Sequence, residues 1–297
     1  MTASPRRQTL FSIFLACGSY ALFNVADAAV KALGGRFHFS EIVLFASALN
    51  LVFLPAYGYR VEGKKAFLSG AWGYVFLRAA LLQAMIVCEI FSLSHVQLTT
   101  FYTLIFTCPF MVALMSAVFL KEKLNLRRFG IIAAGFAVVL LVFRPDSGLL
   151  NAYVPVTLMA AFCYAAQLIA TRQVSRLGRE DGLCCVFVVY SIGGLLWSSL
   201  IAPSHYVAPT AFDGLMFLAY SWCGMLGFIG MYHAFKIAPA AAVLAPCQYT
   251  QIGWAAIIGW LAFHEAPDMR VLAGAALLVL LGLYLLWSEA RAESKIP

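Results

Sequence analysis

The sequence predicts an all-α membrane protein: ten transmembrane helices arranged as two inverted five-helix repeats, with N- and C-termini both cytoplasmic. Three observations carry that expectation. The 297 residues are 63% hydrophobic and only 11% charged, with a mean hydropathy of +0.88, whereas soluble domains run at about 25% charged. Apolar runs of about 20 residues, the length that crosses a bilayer, recur along the whole chain. A stretch of the first half also reappears in the second at one constant offset.

Each observation excludes something. A water-soluble globule cannot bury so much apolar surface, because surface-to-volume scaling leaves much of any domain exposed. Soluble enzymes, nucleic-acid binders and disordered chains are set aside on that ground. The net charge of +7 reads as topogenic charge in short loops rather than as a nucleic-acid surface. The cysteines, Cys17, Cys88, Cys108, Cys163, Cys184, Cys185, Cys223 and Cys247, all lie in apolar stretches. None makes a C-x-x-C or Cys/His ligand spacing, so they read as small packing residues and no metal site is expected. No cofactor is implied. The phosphate-loop pattern G-x-x-x-x-G-K-[ST] is missing, so ATP use by this chain is not expected.

Taken in order, the apolar runs fall near 9–33, 39–59, 71–94, 97–120, 127–144, 151–173, 182–202, 211–235, 239–263 and 269–288. They are continuous rather than alternating, which excludes a β-barrel. Each must therefore satisfy its own backbone as a helix. The first run follows Arg6 and Arg7 and contains Ala26-Asp27-Ala28, formally a cleavage signature. It continues to Leu33, too long for a signal-peptide core, and is read as a retained span. With the N-terminus inside, Arg6, Arg7, Arg60, Lys64, Lys65, Lys121, Lys123, Arg127, Arg128, Arg172, Arg176, Arg179, Lys236, Arg291 and Lys295 fall at the cytoplasmic end. Only Lys31, Arg36, Arg144 and Arg270 fall at the other, and Arg78 lies within the third span. That asymmetry sets the orientation and requires an even number of spans.

The segment Leu120–Val142 resembles Phe263–Leu285 without a gap: Glu122 meets Glu265, Arg127 meets Arg270, and small residues meet small residues at Gly130/Ala273 and Ala133/Ala276. The span ending at Lys31 matches the span ending at Arg172 at a similar offset. The repeats are read as residues 9–146 (spans one to five) and 147–288 (spans six to ten). An odd number of spans per repeat orients the two halves oppositely, an architecture that places a binding site near the bilayer midplane.

The stretches ALFNVADAAVKALGG, FTCPFMVALMSAVFLKEKLNLRRFGIIAAGFAVVLLVFRP and APCQYTQIGWAAIIGWLAFHEAPD resemble the drug/metabolite transporter superfamily in its form with two EamA-like halves. The resemblance covers about residues 9–288. It implies ten helices, with spans one to four and six to nine lining a central cavity and spans five and ten peripheral. Relatives of this kind export amino acids and drugs, and some import cofactors or nucleotide-like metabolites. Many carry Arg in the second span where this chain has Ala46, so an anion-binding contact there is not carried over.

Ionisable groups inside a membrane cost roughly 2.5–3.5 kcal/mol each on insertion scales and are functional candidates by default. In span one, Asn24, Asp27 and Lys31 share a face within about 60°. Asp27 reads either as a cavity-facing charge for substrate or a proton, or as the partner of Lys31 at i, i+4. Lys31 reads as that partner or as snorkelling to the surface. In span three, Arg78 and Glu89 share a face but stand about 16 Å apart along the axis. Arg78 reads as topogenic, meeting headgroups; Glu89, deeper, reads as a proton carrier or an interhelical hydrogen bond. Tyr102 and Thr103 in span four, Tyr164 and Gln167 in span six, Tyr232 in span eight, and Gln248, Tyr249 and Trp254 in span nine are the remaining substrate-binding candidates. The aromatic members are read as a stacking wall for a planar or cationic group. The alternative for Thr103 is a bond to its own helix, and for the amides an interhelical bond. His233 joins Asp27 and Glu89 as a proton-coupling candidate. Pro109 and Pro246 are read as helix breaks in the two halves. Glu122 and Glu265 are read as capping or loop-anchoring groups for spans five and ten.

These readings lead to one expectation: a multi-pass secondary transporter in the cytoplasmic (inner) membrane. It would move small polar metabolites, amino acids or their derivatives, by alternating access. Export is favoured, driven by a proton gradient or by the substrate's own. Uptake of a riboflavin- or S-adenosylmethionine-like metabolite is the alternative. An integral membrane enzyme is a remote third, since the nearest interfacial cluster, His264–Glu265–Asp268, lacks metal spacing. The expected partners are a small-molecule substrate and the bilayer, with no nucleic acid; the oligomeric state stays open.

Overall fold

The computed structural model describes residues 5–121, 126–142, 152–179, 181–182, 184–237 and 244–293. Among these the protein is helical, with one isolated β-bridge between Ser69 and Asp181. The helices are α1 (Pro5–Gly34), α2 (Phe39–Glu62), α3 (Trp72–Leu93), α4 (Leu98–Ile105), α5 (Cys108–Phe119), α6 (Leu126–Val142), α7 (Tyr153–Arg176), α8 (Cys185–Ile201), α9 (Ala211–Ile237), α10 (Thr250–Phe263) and α11 (Met269–Glu293). Their bounds follow the ten apolar runs, with α4 and α5 sharing the fourth. Seven segments are long and apolar enough to cross a bilayer: Gln8–Gly34, Phe39–Phe67, Trp72–Leu93, Leu98–Phe119, Tyr153–Arg176, Cys185–Ser204 and Ala211–Ala234. Phe129–Val142 and Met269–Tyr284 are shorter apolar helices.

Local chemistry explains where the helices start and break. At α2, the His38 ring accepts from the Ser40 amide, and the Glu41 carboxylate accepts from the His38 amide at 3.1 Å. Two of the unpaired donors at that helix start are thereby satisfied reciprocally. The fourth span breaks at Phe106–Thr107 because Pro109 has no N–H and its ring crowds the carbonyl of Ile105, the last residue of α4. The Thr107 hydroxyl donates to the Leu104 carbonyl at 2.7 Å and satisfies part of the frayed turn. In the ninth span a 3-10 segment, Ala245–Tyr249, with Pro246 in its first turn, precedes α10. All eight cysteines are unpaired thiols.

Helix packing follows a pattern. α1 lies along α9, and α3 along α7; α2 packs on α8, α4 on α10, and α6 on α11. α1 also meets α10, while α4 and α5 meet α7. Shifting every span by five maps this set onto itself: first–eighth becomes sixth–third, and first–ninth becomes sixth–fourth. Second–seventh, fourth–ninth and fifth–tenth are unchanged. The α1–α9 contact is close because two of the α9 glycines leave room. A Cβ at Gly227 would sit 2.8 Å from the Phe23 ring, whereas Gly224 faces open space.

Burial differs between the two ends of the bundle. We call the end with the N-terminus of α1 and most of the Lys and Arg the basic end, and the other the far end. In the far half of α1, Asn24, Ala26, Asp27, Ala29, Val30 and Leu33 are buried. In its basic half, Ser12, Ala16 and Ser19 are buried while Leu10, Phe11 and Phe14 are exposed. Every residue of α4, the far half of the fourth span, is buried. Ala46 belongs to the same central core, beside Ala29, Val30 and Ile90.

Candidate functional site

The centre of the far half holds two acids from different helices. Asp27 on α1 accepts a hydrogen bond from the Tyr102 hydroxyl on α4. Glu89 on α3 neighbours Asp27, and Gln251 on α10 neighbours Tyr102. Tyr190 on α8 lies near Glu89, and Tyr220 on α9 lies near both acids. Asp27, Glu89 and Gln251 are all buried. The arrangement is a pair of neighbouring buried acids, one of them held by a tyrosine hydroxyl. It joins Asp27, Glu89 and Tyr102 of the first half to Tyr190, Tyr220 and Gln251 of the second.

The basic residues expected near these acids are engaged elsewhere. Lys31 does not pair with Asp27. It makes an ion pair with Glu265 at 2.9 Å and donates to the carbonyls of Leu93 and Val96. One turn of helix carries its ammonium toward the far end, beyond the reach of the short Asp27 side chain. Glu265 also accepts from the Leu98 amide at 3.1 Å. It therefore caps the start of α4 and anchors the loop between α10 and α11 to α1. Arg78 meets Asp181 at 2.6 Å, in the loop before α8, rather than being simply a headgroup contact. Glu122 lies outside the described residues.

The remaining candidates separate. Asn24 donates to the Tyr20 carbonyl at 3.0 Å, and its own side-chain oxygen is buried without a partner. Thr103 bonds back to Thr99 at 2.7 Å. Tyr164 and Gln167 lie on α7 with accessible surface remaining, and the Gln167 side-chain oxygen has no hydrogen bond within the protein. Gln248 is half-buried in the 3-10 segment. The expected aromatic wall does not assemble. Tyr249 packs edge-on against Phe106, with its hydroxyl where a Cβ on Gly282 of α11 would lie. Trp254 is 37% exposed on the outer face of α10. Tyr232 donates to Glu62 at 3.3 Å at the basic end, and His233 bonds the Tyr57 hydroxyl at 2.9 Å beside it. Both are remote from Asp27 because α9 runs past the pair with Tyr220, three turns earlier.

Several contributors were missed by sequence reasoning. Tyr190 and Tyr220 sit in apolar runs with no neighbouring polar residue at helical spacing to single them out. Ser47 on α2 and Ser191 on α8 are buried, and neither they nor the Gln83 amide on α3 makes a hydrogen bond within the protein. Gly194 lets Ser47 and Gln83 converge, since a Cβ there would lie 2.5 Å from the Ser47 hydroxyl and 2.8 Å from the Gln83 oxygen. Unpaired buried polar atoms in a native fold call for a ligand or water.

Comparison with known proteins places this geometry in a class. No family model matches the chain. The chain is 26% identical over 284 residues to a riboflavin transporter of Brucella anthropi, covering 93% of this chain and 97% of the relative. It is 26% identical to an S-adenosylmethionine uptake transporter of Rickettsia bellii, covering 91% of each. The pseudopaline exporter CntI of Pseudomonas aeruginosa is also 26% identical, with 90% and 93% covered. A solved crystal structure superposes with a TM-score of 0.64 at 14% identity, covering 96% of this chain and 99% of that one, which bears on the fold alone. The resemblance read from the sequence holds: the chain is a homologue of drug/metabolite-superfamily transporters over nine-tenths of its length. It is a multi-pass protein of the bacterial inner membrane, and transport is its general function.

Proposed function

We propose that the protein is a secondary transporter of small polar metabolites that works by alternating access. Its halves, residues 9–146 and 147–288, are inverted repeats, and both termini are cytoplasmic. The five-span exchange pattern of helix packing supports the repeat, and the distribution of Lys and Arg supports the orientation. Asp27, Glu89 and Tyr102 form the coupling site, and a proton held by the acid pair is carried on the return step. The single observation that carries this reading is the burial of two acids, Asp27 and Glu89, in the centre of the bundle, with the Tyr102 hydroxyl donating to Asp27.

Its substrates are amino acids or their derivatives, with export as the direction. A second reading, uptake of a cofactor-like metabolite, is favoured by the riboflavin and S-adenosylmethionine relatives. Neither direction calls for enzymatic chemistry. Purified protein in proteoliposomes, tested with labelled amino acids, riboflavin and S-adenosylmethionine with and without a pH gradient, separates these readings. Gradient-stimulated flux of one compound, lost in Glu89→Gln, is the expected result. No protein-dependent flux of any compound overturns the transporter reading, and flux untouched by the gradient overturns the coupling.

A further inference from the structure

Resting on the transporter reading above, we infer that Ser47, Gln83 and Ser191 form a subsite for an uncharged, amide-like edge of the substrate, one that carries an N–H donor beside an oxygen or nitrogen acceptor.

The three side chains come from three helices, α2, α3 and α8. Two of them converge on the backbone of Gly194. A Cβ there would lie 2.5 Å from the Ser47 hydroxyl, 2.8 Å from the Gln83 side-chain oxygen and 3.3 Å from Val43. Ser191 precedes Gly194 by about one turn and shares its face of α8. Ser47 is 0% exposed and Ser191 1%. Neither hydroxyl makes a hydrogen bond within the protein, and neither end of the Gln83 amide does.

That is not how buried serines of this protein usually behave. A serine in a helix can satisfy itself by donating to the carbonyl three or four residues back. Ser12, Ser19, Ser94, Ser116 and Ser198 all do so, and Ser198 lies on α8 itself. Ser47 and Ser191 leave that bond unmade. Polar groups that bond neither to their own helix nor to each other, although the fold brings them to one glycine notch, take their partner from outside the chain.

The chemistry of that partner follows from the groups present. Gln83 offers a donor and an acceptor side by side, the pattern that reads a neighbouring acceptor and donor through two parallel bonds. Each serine hydroxyl adds one more donor or acceptor. None of the three carries charge, and Gly194 and Val43 beside them carry none, so an ion bound here would be uncompensated. A carboxamide, a lactam or an aminopurine edge satisfies the set without that cost. Glu89 lies six residues further along α3, about 120° around the helix and about 9 Å along it, so the subsite is separate from the two acids. Its polar atoms are sealed in this structure, and the edge enters as α8 parts from α2 and α3. Gly193 and Gly194, in mid-helix, are where α8 bends most easily. Ile192, Leu196 and Leu200 are exposed and leave its outer face free to move.

The test uses the full-length protein in detergent and in liposomes. The compounds of the flux assay above supply pairs of equal net charge that differ by methylation of the edge. Riboflavin is paired with N3-methylriboflavin, S-adenosylmethionine with its N6,N6-dimethyl analogue, and glutamine with its side-chain N,N-dimethylamide. The parent of the transported pair should bind roughly tenfold tighter than its methylated partner, the cost of leaving a buried acceptor unpaired. Gln83→Leu, which keeps the bulk and loses the amide, should erase that preference. Ser47→Ala, a change small enough to spare the fold, should reduce it. A Gln83 that only supports folding would weaken both members alike and leave their ratio unchanged, and that result overturns the subsite. Equal binding and flux of a parent and its methylated partner in the unaltered protein also overturns it, while leaving the transporter reading intact. No protein-dependent flux of any compound removes both.

Discussion

The two ends of the bundle carry the same device with its charges exchanged. At the far end, the loop before α2 is tied to the loop before α9. Arg36 pairs with Asp213 at 2.5 Å and donates to the Ala208 carbonyl at 3.2 Å. Glu41 accepts from the Val207 amide at 2.8 Å, and the His38 and His205 rings stack at 4.1 Å. At the basic end, the loop before α8 is tied to the loop before α3. Asp181 takes Arg78 at 2.6 Å and Ser69 at 2.5 Å, and the amides of Gly182 and Cys184 donate to Leu68 and Ala66 at 2.8 and 3.0 Å. Arginine comes from the first loop at one end and aspartate from its counterpart at the other.

The difference lies in burial and in what is added. The Arg36 side chain is 44% exposed, the Arg78 side chain 13%. The far end adds Lys31–Glu265, which joins α1, the start of α4 and the loop between α10 and α11. Its counterpart by sequence would use Glu122, outside the described residues. The close packing of the far half of α1 goes with that extra tie. The comparison teaches that the two ends are fastened by unequal sets of contacts, the asymmetry that the proposed alternating-access cycle needs in any one state.

Four measurements break or sharpen it. The largest effect is expected from Arg78→Gln, which leaves Asp181 buried against one hydroxyl and costs roughly 3–5 kcal/mol. Thermal unfolding in detergent should show a drop of several degrees, and Arg36→Gln, where Asp213 keeps two bonds from Thr210, a much smaller one. Equal losses would erase the distinction between the ends.

Lys31→Met should loosen the far end specifically. Labelling of a cysteine placed at buried Ala29 should rise roughly tenfold, while one placed at Ala16 in the basic half should not follow. A parallel rise at both would show that Lys31 supports the whole bundle.

Gly227→Ala presses on Phe23 and should cost about 1–3 kcal/mol by overpacking. Gly224→Ala, facing open space, should be neutral or mildly stabilising. Unfolding midpoints compare the two directly.

The smallest effect is a pH dependence at the far end. Burial pushes His38 below its usual 6.5, and neighbouring His205 lowers it further, against the opposing pull of Glu41. A histidine whose folded value is lowered favours folding while neutral. That contribution is present above 6.5 and fades as pH falls through it, because the unfolded chain takes up the proton first. Protonation also removes the acceptor that caps α2. Hydrogen exchange at the Ser40 and Glu41 amides should quicken at acid pH relative to the α8 start, after correction for intrinsic rates. His38→Asn, which keeps the capping acceptor, should flatten the dependence.

Much of the fold was legible because it is local. The ten runs predicted the described helices to within a few residues. Pro109 marked a real break and Pro246 a 3-10 turn, since a missing N–H and a ring clash act within four residues. The acids were legible as well: Asp27 and Glu89 stand out wherever charge is scarce. Their partners were not. Asp27 to Tyr102 spans 75 positions and Lys31 to Glu265 spans 234, and helical periodicity says nothing about which distant helix lies opposite. Tyr249 and Trp254 shared the composition of a binding wall with Tyr102, and only the tertiary structure packed Tyr249 on Phe106 and left Trp254 37% exposed.

By itself the sequence determined that the chain spans a membrane, where its helices begin and break, and how its charge is distributed between the ends. These follow from the bilayer's refusal of unpaired backbone and from the preference of Lys and Arg for one side. Tertiary structure alone decided that two acids are buried as neighbours, that Lys31 turns from the nearer carboxylate to Glu265, and that Arg78 fastens a loop. Those outcomes depend on the register between helices far apart in the chain, which packing sets and no local pattern records.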